Sequence, residues 1–150
     1  MFSMDETAMY KQNAVKAIYQ ANYLFSTTYK LIKEPKALLS ISSHILSSFM
    51  HSVSAILAHE HIALGSDEEK LQYFRKNLVA KYGLQEYDNL IGRIEFLQKE
   101  HKQASVEFTR GSSYVMCSNQ FSQINSISET DVQNYIKKAK EFVSVVERIA

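Results

Sequence analysis

The sequence predicts an all-α fold: an antiparallel up-and-down bundle of four to five helices, with a long irregular or hairpin-like loop before the last helix, forming one domain over residues 1–150. Three observations predict it. Ala37–His59 is a stretch of 23 residues without Asp, Glu, Lys or Arg, and a helix that long without charge must be covered on most sides. The chain has only four glycines and one proline, which favours long uninterrupted elements over a many-turned β fold. Elsewhere apolar residues recur at steps of three and four.

Asp5 to about Lys33 reads as the first helix, with Ala14, Ala17, Ile18, Ala21, Leu24, Phe25, Thr28, Leu31 and Ile32 recurring at steps of three and four. Asp5 and Glu6 suit the positive end of its dipole, and Lys30 and Lys33 the negative end. Pro35 disfavours helical geometry at Glu34, so the chain breaks there and returns antiparallel through a short link. The second helix runs from about Lys36 to Ala63. Leu38, Ile41, Ile45, Phe49, Val53, Ile56 and Leu57 form its main apolar face, widened by Leu39, Leu46 and Met50, and Gly65 suits its C-cap. Ser66-Asp67-Glu68-Glu69 reads as a capping box that opens a third helix, which Gly83 ends. The third helix stands alone or forms part of the fourth. That helix runs from about Gln85 or Tyr87 to Gln103, with Leu90, Ile91, Ile94 and Leu97 inward and Lys99, Glu100 and Lys102 toward solvent.

Residues 104–127 are rich in Ser, Asn and Gln. Val106–Thr109 and Tyr114–Cys117 read as short extended segments around a turn at Arg110–Ser113; the other reading is an ordered loop that carries function. Ser128-Glu129-Thr130-Asp131 resembles a second helix N-cap. The last helix follows to about Ile149, with Val132, Tyr135, Ile136, Ala139, Phe142, Val143 and Val146 on one stripe.

Composition excludes little but directs the search. The formal charge is +1, from 17 basic and 16 acidic residues, which speaks against a dedicated nucleic-acid binder. The single Cys117 has no partner for an intrachain disulfide, and no leader-like pattern opens the sequence, so a reducing cytoplasmic location is expected. Ala37–His59 is long enough to span a bilayer. Its seven serines and three histidines, with Lys33, Glu34 and Lys36 just before it, argue against a membrane role.

Candidate chemistry is sparse. His44, His51 and His59 lie within about 80° of arc on the second helix, but a spacing of seven residues is a rise of about 10 Å, too far for two of them to share one ion. They are metal-site candidates only with ligands from other elements; as packing histidines they need nothing more. His59-Glu60-His61 lacks a zinc-binding spacing, and no Glu-x-x-His motif marks a di-iron site. Cys117 is a candidate nucleophile only if a base such as His101 approaches it in space. Arg110-Gly111-Ser112-Ser113 offers an arginine, backbone donors and hydroxyls suited to an anion, and equally suits a plain turn. No cofactor motif is present.

A resemblance rests on Glu34-Pro35-Lys36, on Glu107-Phe108-Thr109-Arg110 followed by Tyr114-Val115-Met116-Cys117-Ser118, and on the final helix from Asp131. With these the chain resembles a group of small archaeal proteins of unknown function, and the resemblance implies an up-and-down helical bundle. More distantly, the layout is similar to HEPN domains, helical bundles that often dimerise and accompany nucleotidyltransferases or act as RNases. The RNase members carry Arg, four to six residues, then His. Here Arg93 and His101 are the nearest pair, with seven residues between them.

The expectation is an interaction module, homodimeric, binding a protein partner or small ligand. The first alternative is a HEPN-like RNA- or nucleotide-related enzyme using Arg93, His101 and Arg110. The second is a metal or small-ligand carrier using His44, His51 and His59.

Overall fold

The structure, a computed structural model, describes residues 4–150, and the side chains from residue 6 onward. Among these residues the chain forms five helices and a three-stranded antiparallel sheet. The all-α expectation is therefore corrected to a mixed α/β fold.

Helix α1 covers residues 4–32: Met4–Tyr23, a π-helical stretch Leu24–Tyr29, and Lys30–Ile32. Lys33 ends it in the left-handed conformation, φ 54°. Helix α2 is Ala37–His59. It stops short of the expected Ala63 because His61, φ 59°, turns the chain, so Gly65 is not its cap. Helix α3 covers residues 67–82, again with an internal π stretch, Phe74–Leu78. Gly83 closes it at φ 67°, a conformation glycine adopts without penalty, which separates α3 from α4, Gln85–Gln103. Strands β1 (Val106–Arg110), β2 (Ser113–Ser118) and β3 (Gln123–Ser128) follow in the order β1-β2-β3. Helix α5 is Glu129–Ile149, opened by a full capping box between Ser128 and Asp131.

The two extended segments and their turn stand where the sequence places them. The missed element is β3. Its Gln-Ile-Asn-Ser-Ile-Ser sequence puts Ile124 and Ile127 on opposite faces, so no alternation marks it. The turn before it, Asn119–Ser122, also lacks Gly and Pro. It pairs because β2, buried along its length, offers a second edge: Met116 aligns with Asn125 and Cys117 with Ile124.

Helix α2 lies at the centre, against α1, α5, α4 and α3. Most of its missing charge is accounted for within the chain, since 14 of its 23 residues are buried. Buried hydroxyls tie it to its neighbours. Ser48 donates to the Ala14 carbonyl of α1 at 2.8 Å, and Gln98 of α4 donates to Ser42 at 2.6 Å and to the Leu39 carbonyl at 3.1 Å. Phe142 of α5 gathers rings from three other helices: Phe49 at 5.6 Å, Phe74 at 6.3 Å and Tyr87 at 4.8 Å between centroids. Lys11 pairs with Glu147 and Tyr29 with Glu129, so α1 and α5 are antiparallel. The sheet therefore caps the end where α4 stops and α5 starts, beside the α1–α2 junction. Helix α2 is the one described helix long and apolar enough to cross a bilayer, and its most apolar window is 67 % buried in the chain.

Candidate functional site

Helix α2 is covered on all sides but one. The open stripe runs through Ser40, Ser43, Ser47 and Met50 at steps of three and four and ends at Ser54, which Lys70 covers; it floors a trough. From Ser40 to Ser54 the stripe rises about 21 Å, close to four helical turns. Toward the sheet the walls are Glu34 and Lys36 on one side and Gln98 and His101 of α4 on the other, around about 430 Å³. In the middle they are Tyr10 of α1 with Asp67 and Lys70 of α3, around about 320 Å³. Beyond Met50 the trough opens over Leu71, Gln72, Arg75 and Glu95, about 510 Å³. Ser43 joins the first section to the second, and Leu46, Met50 and Asp67 join the second to the third.

Each wall is held by its own contacts. The Lys70 ammonium lies 5.3 Å from the Tyr10 ring centre and donates to Ser54 Oγ at 3.1 Å. Arg75 spans α3 to α4, with Nε 2.6 Å from Asp88 and Nη2 2.9 Å from Glu95. His51 faces the middle section half-buried. Burial pushes its pKa below the usual imidazole value, Asp67 opposes the shift and Lys70 adds to it, so the ring is neutral near neutral pH.

At the sheet end, His101 Nδ1 lies 2.5 Å from Glu107 Oε2, and Tyr114 donates to Glu107 Oε1 at 3.2 Å. Burial first and Glu107 second raise the Tyr114 pKa, so the hydroxyl keeps its proton and remains a donor. A carboxylate on Nδ1 fixes the imidazole, the arrangement that orients a general base. Glu100, expected to face solvent, is instead 3 % exposed, because the sheet packs over the last turn of α4; Ser118 donates to it at 3.2 Å.

The structure does not bring the sequence-predicted candidates together. Arg93 is exposed on α4 beside Phe96, and it stands eight residues from His101, about 12 Å along the axis. Arg110 is exposed at the β1–β2 turn. Cys117 is buried on the sheet face opposite Glu107 and Tyr114, so the base nearest in sequence lies across the sheet from it. His44 and His51 are half-buried and His59 is exposed, and no group of three potential metal ligands forms among the described residues.

Sequence reasoning missed the Lys70–Ser54–Tyr10 contact and the His101–Glu107–Tyr114 chain. The second was within reach. Once α4 ends at Gln103 and a hairpin follows, Glu107 and Tyr114 fall on one face of the two-strand ladder beside the helix end. No known protein family, curated protein or solved structure matches this chain, so the comparisons lend the archaeal and HEPN resemblances no support and the geometry alone carries the functional reading.

Proposed function

We propose that the protein is a binding module, working as a homodimer, whose contact surface is the α2 trough. One observation carries this reading: the unroofed stripe of α2 presents hydroxyls and the Met50 thioether between walls bearing both signs of charge. Small floor residues permit close approach of a helix. Walls that alternate Glu34 with Lys36, Asp67 with Lys70 and Arg75 with Glu95 complement themselves under a two-fold axis. The length of the stripe fits a helical segment from a second copy. Native mass spectrometry of untagged protein tests it. A dimer is expected for the wild type and a monomer for Ser47→Arg, with circular dichroism unchanged. A monodisperse monomer, or a dimer that survives Ser47→Arg, refutes the reading. A mass excess that Ser47→Arg removes would replace the second copy with a small ligand at the same site.

The enzymatic alternative has one supporting observation, the orientation of His101 by Glu107. It requires a second group at His101, and Arg93 and Arg110 stand on other parts of the surface. Unchanged RNA cleavage after His101→Ala would end it.

A further inference from the structure

The sheet end of the molecule carries exposed apolar residues that the trough does not use. Register places Val106, Cys117 and Ile124 in one cross-strand row of the outer sheet face, and Phe108, Val115 and Ser126 in the next. The central Val115 and Cys117 are buried, but Val106, Phe108 and Ile124 are 39 %, 42 % and 62 % exposed. Phe121, 57 % exposed, stands in the β2–β3 turn. At the α1–α2 junction Leu31 and Ile32 are 83 % and 59 % exposed. Two contacts set that junction beside the sheet: Tyr29 bonds to Glu129, the residue after β3, and Glu34 and Lys36 share a concavity with His101, which is bonded to Glu107 of β1.

The turn that presents Phe121 is unusual. Asn119, Gln120 and Phe121 take φ values of 51°, 56° and 68° in succession, a left-handed path that glycine and asparagine enter far more readily than Gln or Phe. A phenylalanine kept exposed in a backbone conformation that disfavours it contributes little to the fold.

The fully exposed charge at this end is mostly basic. Lys30, Lys33, Lys36, Lys99, Lys102 and Arg110 are all exposed. The acids here are mostly engaged within the chain: Glu107 by His101 and Tyr114, Glu129 by Tyr29, Asp131 by the Ser128 backbone, and Glu100 by Ser118 in the interior. Glu34 alone is exposed.

We propose that this end docks on an anionic lipid bilayer, with Leu31, Ile32, Phe121 and Ile124 entering the interfacial layer and the surrounding basic residues against the headgroups. A second copy on the same surface would set basic residues against basic residues. Single-stranded RNA would need a platform of stacked rings, and most of the protruding residues here are aliphatic. This surface meets the trough only at the sheet-end wall of Glu34 and Lys36, so Ser47→Arg, further along α2, should leave vesicle binding intact.

Cosedimentation with vesicles tests the proposal. The protein should pellet with phosphatidylcholine vesicles containing phosphatidylserine and stay in solution with phosphatidylcholine alone, and salt should weaken the binding. Lys33→Gln and Lys102→Gln should each weaken it about fivefold. Phe121→Gly with Ile124→Ser should weaken it by about tenfold or more, from the lost apolar insertion. Phe121→Gly alone relaxes the left-handed turn, so its thermal midpoint should match or exceed that of the wild type, which separates lost binding from lost folding. Lys16→Gln, on the side of α1, is the control and should bind as the wild type does. Three results overturn the proposal: no pelleting with the anionic vesicles, pelleting that survives Phe121→Gly with Ile124→Ser, or basic variants that weaken binding of a single-stranded RNA while vesicles are ignored.

Discussion

Tyr29 clamps the end of α1 to the start of α5. It is 2 % exposed, stacks on Phe25 at 5.7 Å, and donates to Glu129 Oε1 at 2.8 Å. Burial first, then the hydrogen bond and charge of Glu129, push its pKa up to about 12 from 10.0. A raised phenol pKa means the folded state resists ionisation that the unfolded chain accepts. The stabilisation from Tyr29 is therefore complete below pH 10 and is lost as pH rises from 10 toward 12. Two units correspond to roughly 3 kcal/mol in all, of which about half is gone by about pH 11. Urea unfolding of the wild type and Tyr29→Phe across this range isolates the contribution, because the other raised tyrosines and the lysines titrate in both proteins. Near neutral pH, Tyr29→Phe should be less stable by about 1.5–3 kcal/mol, the range for a hydrogen bond to a charged group. By about pH 11 the gap should narrow by roughly 1 kcal/mol. A gap that stays constant with pH, or a wild-type phenol absorbance that titrates wholly at the ordinary value, would refute the coupling of Tyr29 to Glu129.

Phe142 joins rings from three other helices and is fully buried, so Phe142→Ala should cost about 3–5 kcal/mol by urea unfolding; a loss below about 1 kcal/mol would mean the four helices do not share this centre. Ser52 Oγ is buried with no hydrogen-bond partner among the described residues. Ser52→Ala removes an unsatisfied hydroxyl and adds helix propensity, so the thermal midpoint should hold or rise, by up to about 1 kcal/mol of stability. A clear fall would show that the hydroxyl has a partner.

The helices were legible because their signals are local and agree with one another. Pro35 and Gly83 break the chain where the structure breaks, and Ser66 and Ser128 cap helices as their spacing requires. The stripe Val132, Ile136, Ala139, Phe142, Val146 is buried as one face. The sheet was legible only in part, because a strand's partner is not a local property. Asn119–Ser122 turns without glycine, so nothing in those residues announces that residues 123–128 return to pair with β2. Missing that strand changes the fold class, and it also misplaces Glu100, whose burial depends on the sheet above it. The site failed for a related reason. Reactive residue types do not mark it, because the polar contacts form between ordinary residues: Lys70 with Ser54 and Tyr10, and Glu107 with His101 and Tyr114.

The lack of charge on α2 has two physical solutions, a bilayer around the helix or other helices around it, and its serines distinguish them. In a bilayer core, hydroxyls are satisfied mostly by their own helix. Here Ser48 reaches the Ala14 carbonyl of α1, Ser42 accepts from Gln98 of α4 and Ser54 accepts from Lys70 of α3. These bonds cross to three different helices, and each neighbour takes a different side of α2. What they leave uncovered is one stripe, bounded by Lys36 and His101 at the sheet end and by Lys70 and Asp67 further along. A charge on that stripe would face the trough, so its exclusion is not required by the core. Ser40 and Ser43, exposed yet uncharged, are where packing within the chain gives no reason for the residue type. A partner that brings its own backbone close to α2 gives one, since a lysine or glutamate at either position would hold that backbone away.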